Sequence, residues 1–324
     1  MTRTACAVAS IVAASLLYAM PALASGEPYV LHLLALTCLY AIPAIGLNLM
    51  LGYTGLVSLS HMAFAGIGAY TAAVLMVDAK IAFWGALAAG TLAAGLAGAA
   101  IGVICLRFRS HFFMIVTLAF GLLLFSVMNN WDAVTRGAAG FPGIPRPAPI
   151  ALGGYSLSFA PLANIYRLAL TAVLAAFALQ WLLVRSDFGK MLVAIRQDEK
   201  LAAFKGVNVM LYKTAIFAIG SAVAGFGGVF HVSFLRAASP DSFNLAESIN
   251  TVLIVIVGGA GYLLGPVLGA FVFVAVPEYL RVASELRLVI FGVLLVLITL
   301  FAPSGLAGLA ASLWRTLRRA KAGS

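Results

Sequence analysis

Asn48, Tyr53, Ser58, Ser60 and His61 stand close together in a largely apolar stretch, interleaved with Gly46, Gly52, Gly55, Gly66 and Gly68. Hydrogen-bonding side chains at that density could replace the water shell of a small polar solute. Backbone groups freed by glycines at membrane depth are tolerated only inside protein or beside a water-lined path. The same residues could instead bond helix to helix, and Gly66 and Gly68 suit close helix packing. Pathway lining and interhelical bonding both stay open for Asn48, Ser60 and His61. A second interruption, GGAGYLLGP at 258–266, sets Gly258, Gly259 and Gly261 between two apolar runs.

A different chemistry is carried by 185–213 (RSDFGKMLVAIRQDEKLAAFKGVNVMLYK), where nine charges fall in 29 residues. Gly189 and Gly206 bracket a stretch in which Met191, Ala194, Ile195, Ala202 and Ala203 can share one helical face, leaving Arg196, Asp198, Glu199 and Lys200 on the other. An aqueous loop carrying a short amphipathic helix is a docking platform for a soluble partner. It is equally what a solvated loop resting on a membrane surface looks like.

Motifs for bond-making chemistry are missing. The sequence has no G-x-x-x-x-G-K-[ST] phosphate loop, so ATP is not bound by that route, and no H-E-x-x-H or G-x-S-x-G. His32, His61, His111 and His231 are scattered, and Cys6, Cys38 and Cys105 lie in apolar runs without metal-ligand spacing. No paired intramembrane carboxylates suggest proton coupling. We expect a non-enzymatic chain without metal or cofactor of its own.

Composition sets the class. Of 324 residues, 63% are hydrophobic and 9% charged, far below the roughly 25% charged of a soluble globule. The chain reads as an all-α, polytopic transmembrane bundle. The net charge of +10 sits in loops between apolar runs, where orientation in the bilayer explains it without nucleic acid; membrane lipid is the expected surrounding.

Residues 1–24 read as a first span or a secretory signal ending at Ala22-Leu23-Ala24. Further spans are expected at 29–51, in a run that follows almost where that one stops and ends near Val77, and at 81–106, 112–128, 166–184, 213–235, 248–260, 264–280 and 288–302. That gives ten crossings of one transmembrane domain with two glycine-rich breaks. The loop at 130–165, rich in Pro and Gly, should be ordered turns rather than helix, and the tail at 314–324 is basic. With a cytoplasmic N-terminus, thirteen of the twenty Lys and Arg fall on the cytoplasmic side with only three acids. The positive-inside rule then puts 185–213 and both termini in the cytoplasm and 130–165 outside.

Three long stretches, in order, carry a family resemblance: GLNLMLGYTGLVSLSHMAFAGIGAYTAAVL at 46–75, FFMIVTLAFGLLLFSVMNNWDAVTRGAAGFPGIP at 112–145, and GKMLVAIRQDEKLAAFKGVNVMLYK at 189–213, followed by ASPDSFNLAESINTVLIVIVGGAGYLLGPVLGA. Together they resemble the LivM-type permease of branched-chain amino acid ABC importers, a family whose relatives also handle urea, short amides and aromatic acids. The resemblance implies a multi-pass protein of the bacterial inner membrane, paired with a LivH-type permease. Two cytoplasmic ATPases would bind ATP and Mg beneath it, and a periplasmic binding protein would deliver substrate. It also implies that 189–206 is the coupling helix, with Gly189, Met191, Ile195, Arg196, Asp198, Glu199, Ala202 and Gly206 at the ATPase contact. The segment departs from the loose E-A-A-x-x-x-G pattern of such permeases, because Lys200 and Leu201 precede Ala202. The alternative is a self-sufficient secondary transporter or channel, with its site at the two breaks.

Overall fold

The computed structural model describes residues 17–18, 20–21, 28–108, 110–152, 155–159, 161–280, 286–302 and 304–312. Nearly all of the first span expected at 1–24 and the tail expected at 314–324 lie outside these residues, as do Cys6 and Arg109.

The long apolar runs fold as helices because in lipid every backbone N–H and C=O must be paired within the segment. They are α1 (Pro28–Thr54), α2 (His61–Val77), α3 (Phe83–Cys105), α4 (Ser110–Asn130), α5 (Leu162–Arg185), α8 (Val209–Leu235), α9 (Leu245–Gly258), α10 (Gly265–Tyr279) and α11 (Arg287–Phe301). The charged segment between α5 and α8 forms α6 (Asp187–Gln197) and α7 (Glu199–Phe204). Among the described residues six helices are long and apolar enough to cross a bilayer, with three shorter apolar helices beside them. The protein is therefore a multi-pass helical bundle, in which six full-length candidate spans stand where ten crossings were expected.

α8 runs through the centre, packed on α1, α2 and α3. Small residues make this possible. A Cβ placed on Gly225 would lie 2.3 Å from the Ala94 Cβ, and one on Gly228 2.0 Å from the Ala65 carbonyl oxygen. Between helices in lipid, such close approach takes over the role that hydrophobic burial plays in water.

The connections fall into two groups. At one end, Asp78 after α2 is paired with Arg136 at 2.7 Å. In the same region Phe141–Pro142 pairs antiparallel with Ala237–Ala238, and the Ile144 N–H donates to the Arg236 carbonyl at 3.0 Å. The loop expected as turns contains the first of these two strands, a hairpin of Ile150–Leu152 with Tyr155–Leu157, and helical turns at Asp132–Thr135 and Gly137–Ala139. Pro and Gly exclude long helix but leave room for single turns. At the other end lie the C-termini of α1, α3 and α5, the N-termini of α4 and α8, and all of α6 and α7.

The charged segment corrects the expectation of one helix bracketed by glycines. Ser186 caps α6, its hydroxyl accepting from the Gly189 N–H, so Gly189 lies inside the first turn. Asp198 then breaks the run in extended conformation and caps α7, its carboxylate accepting from the Leu201 N–H at 3.0 Å. Asp competes well for backbone donors at a helix start. Gly206, at φ 86°, does end the segment.

The packing seam predicts a contrast between glycines. Gly225→Val should cost at least about 1–3 kcal/mol by overpacking and lower the melting temperature of detergent-purified protein. Gly292→Val, whose Cβ meets nothing within 4 Å, should leave it unchanged.

Candidate functional site: two glycine breaks joined to a charged lever

α1 ends because Gly55 takes φ 75°, a backbone conformation that glycine adopts without strain. The Gly55 N–H returns to the Leu51 carbonyl at 3.1 Å and the Leu56 N–H to the Met50 carbonyl at 3.3 Å, closing the helix end through a left-handed residue. The chain then runs without regular structure to His61. Gly52, two residues before the helix end, retains a carbonyl without a helical partner, and the Arg196 guanidinium of α6 donates to it. An orphan carbonyl at a helix C-terminus is a natural seat for a cation.

The second break meets the first at the same place. The Asn48 side chain uses both ends of its amide: its Oδ1 accepts from the Gly261 N–H at 2.8 Å, and its Nδ2 donates to the Tyr262 carbonyl at 3.1 Å. Gly52 and Gly261 are in backbone contact, since a Cβ on Gly52 would lie 2.4 Å from the Gly261 nitrogen and one on Gly261 3.0 Å from the Gly52 oxygen. Gly261 also has φ 87°, and its built Cβ would approach the Arg196 Nη1 to 3.3 Å. Arg196, Gly52, Asn48 and Gly261 thus form one contiguous unit.

Asn48, Ser58, Ser60 and His61 are fully buried, and Tyr53 is nearly so. Ser58 and Ser60 bond each other at 3.2 Å, and the His61 Nε2 donates to the Pro43 carbonyl at 2.8 Å. The Met62 N–H donates to the Ser248 hydroxyl at 3.2 Å, tying the start of α2 to α9. On the far side of the second break, Gly258 is pressed against α10: its Cβ would fall 1.9 Å from the Gly265 oxygen. Gly259 takes φ 114°. The chain between α9 and α10 therefore turns back tightly instead of continuing as helix.

α6 is held to the bundle by Leu192, which packs with Leu49 and Tyr53 of α1 and Ile216 of α8. Ile195 is 3% exposed and Ala202 5%, so the apolar face expected to meet a partner is turned toward this chain's own bundle. Met191 is half-buried, and Ala194 and Ala203 are exposed. The charged side chains are also committed internally: Glu199 pairs with Lys213 of α8, and Arg196 with Gly52. Lys190 beside Asp187, at 2.6 Å, holds that carboxyl below its usual range.

What the segment presents outward is Val193, Leu201 and, above all, Phe204, which is 90% exposed. Phe204 was missed because helical spacing assigns apolar residues to the buried face. An aromatic among charges was the available signal.

Among the described residues no group of His, Cys, Asp and Glu could hold a metal ion, and Cys38 and Cys105 are buried, free thiols. The arrangement can transmit position. Buried amides and a cation bind backbone to backbone, and a lever lies on one end of the bundle.

A membrane-spanning bundle with paired interruptions and a lever at one end defines a multi-pass membrane protein of transporter architecture. The chain belongs to the family of branched-chain amino acid transport system permease components, whose model matches residues 29–299. It is 33% identical over 290 residues to the high-affinity branched-chain amino acid transport system permease protein LivM of Escherichia coli K12, covering 84% of this chain and 68% of that one. LivH of the corresponding system in Salmonella typhimurium is 26% identical, with 83% and 91% covered. Over 48% of the chain it is also 32% identical to the xylose transport system permease XylH of E. coli K12, of which 42% is covered. No solved structure matches.

The joined breaks predict that Asn48→Ala, which strands a buried N–H and a buried C=O, costs about 1–2 kcal/mol. The loss should appear as a lowered melting temperature. Thr37→Ala, which removes a hydroxyl bonded only to its own helix at Leu33, should melt like the wild type.

Proposed function

We propose that this chain is one of two permease subunits of an ABC importer for branched-chain amino acids or chemically similar small polar solutes. It would reside in a bacterial inner membrane with a LivH-type partner, two cytoplasmic ATPases that bind ATP and Mg, and a periplasmic binding protein. The observation that carries this reading is the continuity from α6, through Arg196 and Gly52, to Asn48 and Gly261. In a chain with no nucleotide loop of its own, a lever that reaches both breaks has a purpose only if something outside moves it. Resemblance to both a LivM and a LivH supports a permease pair.

In this mechanism the α6–α7 segment is the coupling element. Leu201 and Phe204 are offered to the ATPase, while Leu192, Ile195 and Ala202 grip the bundle. Closure of the ATPases tilts the lever, Arg196 draws on the C-terminus of α1, and Asn48 carries the displacement to the α9–α10 turn. The two breaks are the hinges, because glycines at 52, 55, 258, 259 and 261 permit backbone changes that other residues resist. Opening of the hinges would let Tyr53, Ser58, Ser60 and His61 line the solute path between the two permeases. Substrate choice is left largely to the binding protein.

We further place 185–213 and both termini in the cytoplasm, and 130–165 with 236–244 in the periplasm, with ten crossings if 1–24 is retained. The two-ended grouping of connections supports the alternation of spans, and the charge bias supports its direction. Cysteines introduced at Gly143 and at Lys190 should be labelled by an impermeant reagent from opposite faces, Gly143 from outside. Labelling of both from one face would refute this topology.

Large exposed aromatics usually dominate an interface, costing about 2 kcal/mol or more on truncation, which is about thirtyfold in affinity. Phe204→Ala should therefore reduce co-purified ATPase steeply and leave insertion and permease pairing intact. Ile195→Asp should instead destabilise the permease itself. If Phe204→Ala retains full ATPase occupancy, or uptake into proteoliposomes proceeds on an ion gradient without ATP, this reading fails.

A further inference from the structure

A cavity of about 700 Å³ lies at the lever end of the bundle, between the first break, the α3–α4 turn, the lever and the start of α8. Four cationic side chains, Arg107, Arg196, Lys200 and Lys213, reach its wall against a single carboxylate, Glu199. Two of the cations are already used, Arg196 on the Gly52 carbonyl and Lys213 on Glu199. Arg107 and Lys200 have no hydrogen-bond or ion-pair partner among the described residues. The cavity therefore has a surplus of positive charge that nothing among the described residues answers.

Its remaining wall is of the opposite character. Leu106, Phe108 and Phe113 line the side formed by the α3–α4 turn, with Val209 across from them. Phe108 is 50% exposed and its neighbour Phe112 62% exposed. Exposed apolar side chains beside a basic residue at the end of apolar helices suit the boundary of lipid and water, where a cationic stem lies along apolar surface and its head reaches the polar layer.

A soluble anion would leave this apolar wall unused, and an uncharged lipid would leave the cations unanswered. We propose that this cavity binds an anionic phospholipid of the adjoining leaflet. The phosphate sits between Arg107 and Lys200, and an acyl chain runs along Leu106 and Phe108. Basic pockets between transmembrane helices near a membrane surface are suited to such headgroups. The occupied cavity would brace the lever against the bundle, since Lys200 belongs to α7 and Arg107 to the α3–α4 turn. Lipid composition would then tune how freely the lever moves. The inference requires only the membrane-spanning bundle, not the identity of the transported solute or of the ATPase.

The test is native mass spectrometry of the full-length chain, with the subunits that accompany it in detergent, titrated with phosphatidylglycerol and separately with phosphatidylcholine. Each basic side chain at an anionic membrane surface contributes about fivefold in affinity. Arg107→Gln with Lys200→Gln should weaken phosphatidylglycerol binding roughly twentyfold and leave phosphatidylcholine binding unchanged. Arg107→Lys, which keeps the charge, should retain most of the binding. Lys80→Gln, outside the cavity, should match the wild type. Unchanged phosphatidylglycerol binding in the double variant overturns the proposal. So does displacement of the lipid by millimolar inorganic phosphate, which marks a site for a free anion. Loss of ATPase with lipid binding intact also overturns it, because the cavity is then the seat of a protein partner.

Discussion

The structure depends on one side-chain amide. Asn48, fully buried, closes hydrogen bonds with a backbone N–H and a backbone C=O that belong to a chain segment 213 and 214 residues further along. In a bilayer, an unpaired backbone group costs several kcal/mol, so a non-helical turn such as 259–264 persists only if protein supplies its partners. Asn is suited to this because it has both a donor and an acceptor at fixed separation. Its two bonds hold Gly52 and Gly261 so near each other that neither could carry a side chain without displacement.

Arg196 extends the same constraint outward. Its guanidinium takes a carbonyl in the last turn of α1 that the helix does not use, and its stem lies along Gly55, 3.7 Å from where a Cβ would stand. The lever is thus attached at two kinds of point. An apolar contact through Leu192 and Ile195 fixes its angle, and a polar contact through Arg196 ties it to the hinge. Small residues let α8 pack closely against α1, α2 and α3, and in the proposed mechanism this leaves the glycine breaks as the places that yield when α6 and α7 are displaced.

Much of this was legible from sequence, for physical reasons that differ by element. Helix positions followed from the length of apolar runs; α9 and α10, expected at 248–260 and 264–280, occur at Leu245–Gly258 and Gly265–Tyr279. The break after α1 was visible because Gly55 is a helix stop. What could not be read was any pairing that depends on distant chain. Nothing local to Asn48 names Gly261 as its partner. Periodicity identified an apolar stripe on α6 but not what covers it. Leu192, outside the expected stripe, is covered by Tyr53 and Ile216, from helices on either side of it in sequence. Phe204 was passed over for the same reason, and Asp198, expected at the partner contact, was not foreseen as the cap that splits the segment in two.

The central claim is that the lever moves the breaks through Arg196. The most direct measurement is the number of substrate molecules taken up per ATP hydrolysed by the complete transporter in proteoliposomes, with Arg196→Gln compared to wild type. A hydrogen bond from a charged donor is worth about 1.5–3 kcal/mol. The account predicts that the variant keeps its ATPase subunits and continues to hydrolyse ATP, while uptake per ATP falls about tenfold or more. A wild-type ratio of uptake to hydrolysis in this variant would contradict it.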